Sequence, residues 1–86
     1  MINKSENPAS WTLLLTELDE AREHLEGLID KMNGAGAIDD PEFAVDLGHV
    51  YAHLNRAWHS RNQDEQITEE QWPVFSQFPK DINPVG

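Results

Sequence analysis

The sequence predicts an all-α protein: an antiparallel helical hairpin, about residues 8–33 and 41–62, with a docked C-terminal tail containing a short helix or turn. Three observations carry that prediction. Apolar residues recur at helical spacing through two long stretches, start and stop signals bound both of them, and no stretch alternates as a strand does. The chain has 86 residues, room for a single small helical domain over 1–86, with 1–6 and 83–86 expected to fray.

The first helix opens at Asn7-Pro8, where Asn is a capping residue and proline suits the first helical position. Trp11, Leu14, Leu18, Ala21, Leu25, Leu28, Ile29 and Met32 then fall in one stripe at about 100° per residue. Glu17, Glu20, Glu23, Glu26 and Asp30 are expected on the opposite, solvated face. Asn33-Gly34-Ala35-Gly36 ends the helix, because glycine tolerates the left-handed cap conformation.

Asp40-Pro41-Glu42 repeats the start signal, with Asp40 as cap and an acid in the first turn. Phe43, Leu47, Val50, Tyr51, Leu54, Ala57 and Trp58 form the second stripe, and Arg56 and Arg61 sit in the last turns, where the helix dipole favours cations. The short connection makes the two helices antiparallel neighbours. In the tail, Thr68-Glu69-Glu70-Gln71 has the capping-box form, with Ile67 and Trp72 placed for a hydrophobic staple. Pro73 limits the helix that follows. Trp72, Val74, Phe75, Phe78 and Ile82 are too many large apolar groups for a free tail, so they are expected to dock on the hairpin.

Composition narrows the function. Sixteen acidic residues against six Lys and Arg give a formal charge of -10. No basic surplus exists to neutralise phosphates, so a nucleic-acid partner is not expected. No apolar run approaches the length that spans a bilayer, and the amphipathic segments are acidic, which argues against anionic membrane surfaces. Residues 1–9 lack a signal-peptide pattern and there is no cysteine, which together predict a cytoplasmic protein without disulfides.

Candidate chemistry is sparse. Asp46-x2-His49-x3-His53 offers two imidazoles and a carboxylate for a divalent ion. The residue after His49 is Val50 rather than the glutamate of a metalloprotease, and the set is expected to face away from the core as solvated side chains. Glu17-x2-Glu20-x3-His24 repeats the spacing on the first helix. In an antiparallel pair its level matches the second set, with His24 opposite His49 and Glu20 opposite Ala52 or His53. Arg22, at the edge of the apolar stripe, is expected to reach Glu26 or to meet Tyr51. No serine belongs to a nucleophile turn and no glycine-rich phosphate loop exists, so no enzyme and no cofactor are expected.

The function expected is a small acidic protein–protein interaction module. Each stripe is wider than the single interface two helices can share, and a short chain without disulfides commonly needs a partner to complete its core. The expected partner is a second copy, giving a homodimeric four-helix bundle with Trp11, Leu14, Leu18, Leu25, Phe43, Leu47, Leu54 and Trp58 as core or interface. Two alternatives are a metal-binding hairpin using Asp46, His49 and His53, and an acidic inhibitor or antitoxin-like protein steered onto a basic partner.

Overall fold

The computed structural model describes all 86 residues and contains three helices, α1 (Pro8–Ala35), α2 (Asp40–Ser60) and α3 (Gln71–Phe75), with no strand. Contacts pair Lys31 with Glu42, His24 with His49, Glu17 with Arg56 and Ser10 with Gln63, so α1 and α2 run antiparallel. The helical hairpin is therefore the architecture of the chain.

Local chemistry explains the boundaries. The Asn7 side chain makes no capping bond, while the Asn7 backbone N–H donates to the Asn3 carbonyl at 2.9 Å. Asn3 Oδ1 accepts from the N–H groups of Ser5 and Glu6, which closes residues 3–6 into a turn. Gly34 stays helical, and only Gly36 takes the left-handed conformation, at φ 70°, where its N–H donates to the Met32 carbonyl at 2.8 Å. Asp39, not Asp40, caps α2: its Oδ1 accepts from the Glu42 N–H at 2.8 Å, and Asp40 is already helical.

The capping box forms as the spacing predicts. Thr68 Oγ1 accepts from the Gln71 N–H at 3.1 Å, while Gln71 Oε1 accepts from the Thr68 N–H at 3.0 Å. The tail then lies along the outer side of α2, but of the five large apolar groups expected to dock only Phe75 is half-buried, and Trp72, Val74, Phe78 and Ile82 stay exposed. Asn55 Nδ2 donates to the Ser76 carbonyl at 2.8 Å, the Phe75 ring stacks on His59 at 5.4 Å, and Phe78 meets Tyr51 edge-on at 5.1 Å. Trp58 Nε1 donates to Asp81 Oδ1 at 2.8 Å, with the Arg61 guanidinium over the Trp58 ring at 3.7 Å.

The line of contact between α1 and α2 is narrow. Only seven of the 86 residues are buried: Ser10, Ala21 and Leu28 on α1, and Val50, Asn55, Arg56 and Ala57 on α2. Ala21 and Ala57 supply the small side chains that permit close approach of the two backbones. The eight stripe residues do not form a sealed interior. Trp11, Leu14, Leu47 and Trp58 are half-buried, and Leu18, Leu25, Phe43 and Leu54 are exposed. The reason is geometric: the seam runs along one edge of each stripe and leaves the rest facing outward.

Two outcomes follow from this packing. Ala21→Leu, which forces a larger side chain into the seam, is expected to lower stability by about 1–3 kcal/mol in urea unfolding. The Trp58 indole bond, aided by the Arg61 charge, holds the Asp81 carboxyl below its ordinary value. A depressed carboxyl stabilises the folded form above its unfolded pKa, and that contribution fades as pH falls through the lower, folded value. The Trp58 indole N–H resonance should therefore move as the tail loosens below about pH 4, and Asp81→Asn should remove that titration.

Candidate functional site

Two features of the hairpin stand out chemically, a polar seam between the helices and an apolar face beside it. The seam follows seven-residue spacing. Ser10, Glu17, His24 and Lys31 form a column on α1, and Asp46, His53 and Ser60 form one on α2. Between them lie the buried Ala21 and Leu28 of one helix and the Val50 and Ala57 of the other.

Glu17 sits where the seam meets the tail. Its Oε1 accepts from Arg56 Nε at 3.3 Å, and its Oε2 lies 2.8 Å from His53 Nδ1. Glu20, one turn further along α1, brings a carboxylate oxygen to 3.3 Å from the same imidazole nitrogen. The side chains of Glu17 and His53 are only 12% and 13% exposed. Arg56 is more deeply buried: Nη1 donates to Ser76 Oγ at 2.8 Å, Nη2 lies 3.1 Å from His53 Nδ1, and the guanidinium rests over the Trp72 ring at 4.0 Å. Cation–π contact and two hydrogen-bonded partners compensate its desolvation.

The structure distributes the expected ligand set differently from the sequence spacing. Asp46 turns to Lys31, which also meets Glu42 at 3.0 Å; these bonds, the one to Asp46 first, raise the Lys31 ammonium above its ordinary pKa. His49 meets the His24 ring edge-on at 5.3 Å. His53 leaves both for Glu17 and Glu20 across the seam, and the His24 ring stacks on it at 5.1 Å. The expectation of solvated side chains holds for His49, which is exposed, and is corrected for His53 and for Glu17, whose side chains are turned in between the helices. The seam is rotated toward the polar edge of each stripe, so these residues meet between the helices. The matching of levels across the hairpin does appear, with Glu20 beside His53 and His24 beside His49.

Arg22 reaches neither Tyr51 nor Glu26. It pairs with Asp19 on its own helix, and Tyr51 packs on Phe78. With the seam through Ala21 and Val50, Arg22 and Tyr51 point to the outer flanks of their helices. Arg56 is the residue that sequence reasoning undervalued, as a cation near a helix end. The aromatic tail signalled that part of the hairpin would be covered, but not that the covered side would be the one bearing Asn55 and Arg56.

The apolar face consists of Leu18, Leu25, Ile29 and Met32 of α1 with Phe43 and Leu54 of α2, each between 36% and 50% exposed. On a helical wheel both groups lie about 20–80° from Ala21 and Val50, in the same rotational sense. In an antiparallel pair that places them on one side of the hairpin. Tyr51, Leu54 and Trp58 border a groove completed by Phe78, Pro79 and Ile82 of the tail. Asp19, Glu23, Glu26 and Asp30 project from the outer flank of α1, off this face.

Glu17→Ala should cost about 3 kcal/mol of unfolding free energy, because it strips a buried guanidinium of its carboxylate. Arg22→Ala, at an exposed ion pair, should change stability by less than about 0.5 kcal/mol in the same denaturant titration.

No protein-family model, no curated protein and no solved structure matches this chain.

Proposed function

We propose that the chain is a non-enzymatic interaction module that self-associates, the apolar face of one hairpin packing against the same face of a second copy to give a four-helix bundle. The observation that carries this reading is the single-sided row of half-exposed Leu18, Leu25, Ile29, Met32, Phe43 and Leu54. A two-fold axis through such a face makes it complementary to itself.

The surface area points the same way. The chain exposes 6494 Å², whereas a globular monomer of its 9.8 kDa mass would expose about 5,200 Å². The excess, roughly 1,300 Å², exceeds the ~800 Å² that each partner buries in a standard interface. The radius of gyration, 14.7 Å against about 12 Å for a compact domain of this length, describes a slab rather than a globule. The α1 acids also lie clear of this face. With the α1 acids on the outer flank, two copies of a -10 chain can approach without opposing their carboxylates.

Sedimentation or light scattering over a concentration series tests this, with twice the chain mass expected. Leu25→Glu should weaken association roughly a hundredfold or more, since it buries an unpaired carboxylate in the interface, while circular dichroism keeps its helical signal. A wild-type chain that stays monomeric at every concentration overturns the proposal, as does a Leu25→Glu variant that associates unchanged.

A further inference from the structure

The cross-helix group formed by Glu17, Glu20 and His53 has the composition and spacing of a divalent-metal donor set. We infer that these three side chains bind one zinc-type cation, which pins α1 to α2 at the middle of the seam. One ligand atom from each lies within 4.8 Å of the others. Ligands bound to zinc at 2.0–2.1 Å in tetrahedral geometry stand about 3.3 Å apart. His53 Nδ1 and the Glu20 carboxylate are at that separation already, 3.3 Å. His53 Nδ1 and Glu17 Oε2 stand at 2.8 Å and need only a small opening.

The donors come from both helices. Glu17 and Glu20, three residues apart on α1, project toward the same imidazole on α2, so a cation there joins two elements rather than decorating one. Packing fixes two of the three, because Glu17 and His53 are nearly buried. Imidazole with two carboxylates suits zinc and its first-row neighbours better than calcium or magnesium, which favour oxygen-only sets.

Arg56 has a defined part in this arrangement. It holds Oε1 of Glu17, leaving Oε2 for the metal, as an outer partner that orients a ligating carboxylate. Ligation replaces the contact between Arg56 Nη2 and His53 Nδ1. Arg56 keeps Ser76 and its place over Trp72, and the two carboxylates offset two of the three positive charges that the cation and the guanidinium bring together. The His24 ring, stacked on His53, shields one face of the ligating imidazole. Three protein ligands leave a coordination position for water.

The test is a calorimetric titration of the purified chain with zinc chloride, paired with cobalt chloride followed by visible absorption. Saturable binding of a single equivalent per chain is expected, with cobalt bands of a four- or five-coordinate nitrogen–oxygen site. Glu20 is half exposed and lies outside the Arg56 pair, so Glu20→Gln should leave the circular dichroism unchanged while lowering zinc affinity tenfold or more. His53→Asn should do the same to affinity. Asp46→Asn and His49→Gln should leave affinity unchanged, which separates this group from the ligand spacing within α2. Absence of saturable binding, full affinity in folded Glu20→Gln, or loss of affinity only in Asp46→Asn and His49→Gln would each overturn the assignment.

Discussion

The guanidinium of Arg56 joins all three helices of this small protein. It leaves α2, takes Glu17 from α1, donates to Ser76 just beyond α3 and lies over Trp72 within α3. A buried cation is tolerated only while its partners surround it, since an unpaired charge in such a place costs several kcal/mol. The docking of the tail, the register of the hairpin and the orientation of Glu17 are thus mutually dependent. A tail that detached would uncover Asn55 and Arg56 together, and a hairpin that slipped by one turn would carry Glu17 away from both Arg56 and His53.

That dependence explains why so few side chains are sealed from water. In most helical pairs the apolar stripes face one another and polar groups stay outside. Here α1 and α2 meet along a line where small apolar residues alternate with Ser10, Glu17, His24 and Lys31 on one side and Asp46, His53 and Ser60 on the other. Polar contacts hold the register, and the larger apolar groups remain on the adjoining face. The cost is a thin interior with no side chain completely excluded from solvent. The gain is a chain with two separate chemical surfaces, an exposed apolar face and a polar seam rich in imidazole and carboxylate.

Much of the local structure was legible along the chain. Both long helices, the glycine stop at Gly36, the capping box at Thr68–Gln71 and the docking of an aromatic tail follow from short-range chemistry: hydrogen-bond caps, proline placement and apolar periodicity. Helix ends moved by at most two residues from the expected 8–33 and 41–62, because Gly34 remained helical and Asp39 took the capping role from Asp40. The site was less legible. A helical wheel shows which residues share a face, but the rotation of one helix about its axis relative to its neighbour is a property of the pair. Packing toward the polar edge of each stripe carried His53 and Glu17 from the expected solvated side into the seam.

The sequence by itself determined that this chain forms two amphipathic helices followed by an aromatic tail, and that its surface is acidic and free of thiol chemistry. Those features depend on contacts between residues near one another along the chain and on composition. Only the tertiary structure decided which edge of each stripe became the seam, that Arg56 would be buried, and that Glu17, Glu20 and His53 would converge. Such placements depend on how closely Ala21, Val50 and Ala57 let the two backbones approach, and on a tail that reaches the other side of α2. Neither is encoded in the periodicity of a single helix.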